Sequence, residues 1–114
     1  MRIKPLPKSW LIHTIVYEEY TRNKDDWGNL VYKRPVNIRF VRFDESTVFS
    51  RDNTQTKIIA EAVVFIDAAN SSPVPEFTEQ SVITFGGKRY ILKKVVPCYY
   101  PNQNKVHHWE LEVI

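Results

Sequence analysis

The stretch Ser81–Cys98, SVITFGGKRYILKKVVPC, sets two strand-like runs on either side of Gly86-Gly87. A Gly-Gly pair supplies the positive φ values that a two-residue hairpin turn requires. Pairing Phe85 with Lys88 places Ile83 opposite Tyr90 and Thr84 opposite Arg89. One face of the ribbon then carries Ile83, Phe85, Tyr90 and Leu92, and the other carries Thr84, Arg89, Ile91 and Lys93. Alternation fails at Lys93-Lys94-Val95-Val96, where strict period two would turn Lys94 inward. A β-bulge there restores the faces, and bulges bend strands toward closure. The pattern predicts an all-β chain, a small β-barrel or barrel-like sandwich.

Working outward, 114 residues predict a single domain over 1–114, with 1–8 as an extended arm. An apolar fraction of 43% and an aromatic fraction of 13% suffice for one core, and only three glycines argue against wholesale disorder. No apolar run approaches the roughly 18 residues of a membrane span, and MRIKPLPKSW lacks the apolar region of a signal peptide. Cys98 is the lone cysteine, so no internal disulfide forms, which fits a reducing cytosol. Sixteen basic against thirteen acidic residues give a formal net charge of +3, a mixed surface rather than a concentrated basic stripe.

Trp10–Tyr20 reads as a long strand that is apolar on both faces, Arg22–Asn29 as a turn or loop, and Leu30–Arg34 as a return strand halted by Pro35. Val36–Phe43 alternates with Val36, Ile38 and Phe40 inward, after which Val41 and Phe43 fall on the opposite face, so the strand bends. Asp44–Lys57 is polar and turn-prone, and its length marks it as a functional or a disordered loop. Ile58–Asp67 is a central strand. Ala68–Gln80 is a connection with a helical turn near Glu76–Glu79, and Pro97–Lys105 is a loop exposing Tyr99-Tyr100. Val106–Ile114 closes the sheet, with His107, Trp109, Leu111 and Val113 on one face and His108, Glu110 and Glu112 on the other. The expected core is Val36, Ile38, Phe40, Val64, Ile66, Ile83, Tyr90, Leu92, Trp109 and Leu111.

Catalytic chemistry is not signalled. Neighbours on a strand face opposite ways, so His107 and His108 are not expected to share one metal, and Glu18-Glu19 is no carboxylate pair. Nothing ties His13 to them, so satisfied, partly buried histidines are expected. Asp25-Asp26-Trp27-Gly28-Asn29 lacks the alternating ligands of a calcium loop and reads as a hairpin turn. Cys98 has no motif around it and reads as a structural thiol. No catalytic, cofactor or metal residue is assigned, and the chain is not read as an enzyme. Lys88, Arg89, Lys93 and Lys94, with Tyr99 and Tyr100 near in sequence, form a possible basic surface for single strands, diluted by Glu76, Glu79, Glu110 and Glu112.

The start IKPLPKSWLIHTIVYEEY, the middle AVVFIDAANSSPVPEFTEQSVITFGGKRYILKKVVPCYY and the end VHHWELEVI resemble a family of small minor capsid proteins of tailed phages and prophages of Gram-positive bacteria. The resemblance implies a structural part of the virion neck, made in the host cytoplasm, of the head-closure or stopper type. Such a protein needs no cofactor. Its partners would be other copies of itself in a ring following a twelve-fold portal vertex, the adaptor and portal proteins, and a tail protein. Packaged DNA would be contacted non-specifically, and no membrane is involved. Adaptors are mostly helical, and tail terminators, the alternative, mix helices with their sheet. An oligonucleotide-binding barrel and a small metal-dependent hydrolase are the competing classes. On the stopper reading, Ile3, Pro5, Leu6 and Pro7 form an assembly arm that binds in trans. Asp44, Glu45, Val48, Phe49, Arg51, Asp52 and Lys57 belong to a loop that faces the channel.

Overall fold

The strand that begins the fold buries alternate residues: in β1 (His13–Glu18), Ile15 and Tyr17 are buried while Thr14 faces solvent. A computed structural model describes residues 3–49 and 58–114. The remaining strands are β2 (Tyr20–Lys24), β3 (Leu30–Tyr32), β4 (Val36–Asp44), β5 (Val48–Phe49), β6 (Ile58–Ala60), β7 (Ala62–Asp67), β8 (Val82–Phe85), β9 (Lys88–Tyr99) and β10 (Val106–Val113). Among the described residues there is no helix. Six strands close an antiparallel barrel in the order β1-β4-β7-β10-β9-β8, with β8 returning to β1. The chain is thus an all-β small barrel, as the hairpin pattern predicts. Two two-stranded ribbons, β2–β3 and β5–β6, stand outside the barrel.

The β8–β9 hairpin has the expected register, with Phe85 opposite Lys88, Thr84 opposite Arg89 and Ile83 opposite Tyr90. Gly86 and Gly87 have φ of 59° and 79°, the two positive values of a type I′ turn. The expected bulge is also present. Lys94 pairs with Glu112 but Leu92 with Val113, so Lys93 is the extra residue and both lysines stay exposed.

Ile38, Val64, Ile66, Ile83, Leu92 and Leu111 are fully buried, and Tyr90 nearly so. Val36 and Trp109 pack against this core while remaining partly exposed. Phe40 is not in it. Its φ is 58°, and the β1–β4 register steps from His13–Val41 to Thr14–Arg39, leaving Phe40 unpaired in a bulge. The bulge turns Phe40 outward, 41% exposed, beneath the Lys8 ammonium at 4.9 Å, and sends Val41 and Phe43 inward. The switch of faces read in Val36–Phe43 therefore falls one residue earlier than expected.

Other expectations are corrected. The long strand from Trp10 divides: Trp10 closes a turn on Pro7, and β2 turns away after Glu18. The turn expected from Arg22 begins only after Lys24. Glu76–Thr78 forms no helical turn, because buried Tyr17 holds it: the phenol donates to Glu76 O at 2.9 Å and accepts from Thr78 N at 2.9 Å. Pro97 lies inside β9, opposite Trp109, rather than in a loop. β8 pairs only with Lys88–Ile91, so this end of β9 has a free edge where a missing N–H costs nothing.

Candidate functional site

The barrel interior is filled by side chains, so chemistry and contact reside on its outside and its appendages. Four places gather the residues that matter.

The first is the β2–β3 ribbon. Tyr20 pairs with Tyr32 and Lys24 with Leu30, with a two-residue irregularity marked by Arg22 at φ 67°. At its tip Asp25 Oδ1 accepts from Trp27 N and Asn29 N, each at 2.9 Å. Backbone hydrogen bonding, first that of Asn29, holds the Asp25 carboxyl below its ordinary range. Gly28 has φ 81°. This is the hairpin turn expected of Asp25–Asn29. It fixes Trp27 at 89% exposure, and no residue pattern within the sequence marks that tryptophan as unburied. At the base of the ribbon Lys33 meets Glu19 at 2.8 Å.

The second is the loop expected over Asp44–Lys57. Asp44 instead ends β4 opposite Val63, and Val48 and Phe49 form β5, paired with Ala60 and Ile58 of β6. The β4–β7 pair is thus prolonged into a ribbon. Glu45 is exposed. Arg51, Asp52 and Lys57 lie outside the described residues.

The third is the N-terminal arm, which has partners within its own chain. Leu6 N donates to Asp67 Oδ1 at 2.9 Å, Asn70 Nδ2 donates to Leu6 O at 2.7 Å, and Lys4 O accepts from His107 Nε2 at 2.7 Å. Buried Asp67 also accepts from Ala69 N and Asn70 N, so one carboxylate orders both the turn after β7 and the arm. Leu6 is half-buried, while Ile3, Pro5 and Pro7 are exposed. The arm is thus tied to its own barrel by hydrogen bonds while most of its side chains stay exposed.

The fourth lies across β9 and β10. Val106 pairs with Tyr99 and His108 with Cys98, so His107 is the extra residue of a bulge. The bulge overturns the expectation that His107 and His108 point apart: their Nδ1 atoms stand 2.7 Å from each other. Cys98 Sγ donates to Glu110 Oε2 at 3.0 Å, and His108 Nε2 is 3.5 Å from the same oxygen. Burial, and then the Glu110 carboxylate, push the Cys98 thiol up to about 11. Sequence reasoning missed this group because it ended the strand at Pro97. Extending the strand by two residues would have put Cys98 beside His108.

The basic set is dispersed. Lys88 and Arg89 sit at the hairpin tip, and Lys93 and Lys94 at the bulge. Lys88 pairs with Glu61 at 3.2 Å, which raises its pKa, and Lys94 lies opposite Glu112. Among the described residues no helix is long and apolar enough to cross a membrane.

A family model described as "Minor capsid protein" matches residues 7–113. The chain is also similar to the "Uncharacterized protein ORF5" of Lactococcus phage LL-H, 24% identical over 115 residues that cover 96% of this chain and 98% of that protein. No solved structure matches it.

Proposed function

This chain belongs to the minor capsid protein family, and from that premise we propose that it is the stopper of a phage neck. In this role it binds beneath the portal and adaptor, closes the DNA channel after packaging and presents the platform for the tail. The observation that carries the reading is a helix-free closed barrel from which two ribbons project, among the described residues. An adaptor or a tail terminator would bring helices. A ring subunit needs lateral and axial faces that a lone copy leaves bare. The fold leaves Ile12 64% exposed, Phe40 41% and, at the tip of the β2–β3 ribbon, Trp27 89%, and these side chains suit such faces. The β5–β6 ribbon, carrying Asp44, Glu45, Val48 and Phe49 at its root, is the element assigned to the channel. A nucleic-acid barrel fits less well, because Glu61 and Glu112 offset Lys88 and Lys94.

The family points to a structural rather than catalytic part. A phage with a stop codon in this gene tests the role. Heads should fill with DNA, lose it, and accumulate beside complete, unattached tails. Normal heads with tails joined would end the proposal, and empty heads that never packaged would move the protein to an earlier step.

A further inference from the structure

The cluster on the outer face of β9 and β10 is wired in one direction. Lys4 O is a carbonyl and only accepts, so His107 carries its proton on Nε2. With His107 neutral, its Nδ1 is an acceptor, and the 2.7 Å contact requires His108 to donate from Nδ1. His108 then turns Nε2 toward Glu110 Oε2, 3.5 Å away. Cys98 Sγ stands 3.0 Å from the same oxygen. Three ligand atoms of different chemistry, a thiol sulfur, an imidazole nitrogen and a carboxylate oxygen, therefore converge, all within 4.8 Å of one another. The His108 side chain is 18% exposed and that of Glu110 37%, so the group is partly buried and still reachable from solvent.

We propose that Cys98 Sγ, His108 Nε2 and Glu110 Oε2 bind a divalent transition-metal ion of the Zn²⁺ class, with His107 as the positioning residue. The donor set of one thiolate, one imidazole and one carboxylate suits that class rather than Mg²⁺ or Ca²⁺, which take oxygen. A tetrahedral ion holds such ligand atoms about 3.3–3.6 Å apart. The imidazole–carboxylate distance of 3.5 Å lies within this spacing and the thiol–carboxylate distance of 3.0 Å falls just short of it, so a small rotation about the Cys98 or His108 side chain completes the set. On binding, the Cys98 S–H bond breaks, the proton passes to solvent, and the thiolate bonds the ion. Three protein ligands leave a fourth position to water. The relay His108 Nδ1–H to His107 Nδ1, then His107 Nε2–H to Lys4 O, fixes the ring of a metal ligand as outer-shell partners do. It also ties the arm to the site. The ion would thus staple two strands beyond the closed barrel and stiffen the arm laid over them.

Titration of the reduced full-length protein with Co²⁺ alone tests this. The expected result is a near-ultraviolet thiolate-to-cobalt charge-transfer band with tetrahedral d–d bands, saturating at one ion per chain and bleached by Zn²⁺. Cys98→Ser should abolish the charge-transfer band, and Glu110→Gln should weaken binding. His107→Phe should weaken Co²⁺ binding by roughly 10–100-fold while keeping the same bands. Circular dichroism of each variant checks its fold, and Glu110→Gln supplies the answer if Cys98→Ser is unfolded. Absence of the charge-transfer band in the wild type overturns the site, as does a band undiminished in Glu110→Gln. An unchanged affinity in His107→Phe overturns the positioning role.

Discussion

The barrel wall and the β2–β3 ribbon are built from the same kinds of strand residue, yet they meet opposite fates. In the wall, each strand has a neighbour on both sides and buries one face, so Val64, Ile66 and Leu111 have no exposure at all. The ribbon has two strands and no third to lie on. Its strand residues range from half-buried to exposed, and its tip carries Trp27 in solvent. A two-stranded hairpin is marginal in water by itself. This one is held at its root by Tyr20 N donating to Ser81 Oγ at 2.8 Å and by Lys33 N donating to Glu19 O at 2.8 Å. The contrast separates residues that hold the fold from residues that the fold leaves exposed.

The largest effect should come from the wall. Leu111→Ala removes a fully buried side chain between β7 and β9 and should cost about 2–5 kcal/mol. Urea denaturation followed by far-ultraviolet circular dichroism measures it. A loss below about 1 kcal/mol would mean that the wall is no better packed than the ribbon, and the comparison would fail.

Much of the wall was legible because period-two alternation and a Gly-Gly turn are local signals. Ile83, Tyr90 and Leu92 follow from the pleat once the turn is placed, and the bulge that follows them predicts closure. What escaped were bulges whose cause is remote. Phe40 looks like a core residue in Val36–Phe43, and only the pairing with His13 and Thr14, some 25 residues back, displaces it. His107 looks opposed to His108 until Tyr99 and Cys98 fix the register. The bulge within Lys93–Val96 is legible, by contrast, because an inward Lys94 is improbable by itself. The candidate site suffered most, since its residues depend on two such remote events: the bulge at His107 and the passage of β9 through Pro97.

A middle effect lies at the rim of the wall. His13 Nδ1 accepts from Phe43 N at 3.0 Å, its ring meets Phe85 edge-on, and burial followed by the nearby Arg42 charge lowers its pKa below the ordinary 6.5. Above the ordinary value the imidazole is neutral in both states and its contribution is complete. As pH falls through that value, the unfolded chain takes up a proton that the native state resists, so stability is lost until the lower native pKa is reached. The chain holds two further histidines, His107 and His108, so the measurement is a difference. The urea midpoint of wild type and of His13→Asn, which still accepts a hydrogen bond, is compared about one unit above and one unit below the histidine value. The wild type should lose more on acidification, and equal losses would place the sensitivity outside the rim.

The smallest effect on stability should accompany a large one on assembly. Trp27 makes no contact that holds the fold: it is 89% exposed, and the turn beneath it depends on Asp25 and Gly28, which a substitution at 27 leaves intact. Trp27→Ala should therefore change the unfolding free energy by no more than about 0.5 kcal/mol. An exposed tryptophan is, however, the kind of side chain that dominates an interface once buried, where truncation costs about 2 kcal/mol or more. The proposed ring repeats the contact in every subunit, so small losses multiply. Phage carrying Trp27→Ala should yield filled heads with poor tail attachment and a reduced infective titre, while the isolated protein keeps its wild-type melting curve. A destabilised protein would mean that the ribbon belongs to the core after all. A stable protein with full titre would remove the ribbon from the assembly contact and leave the β5–β6 ribbon and the arm as the remaining contact elements.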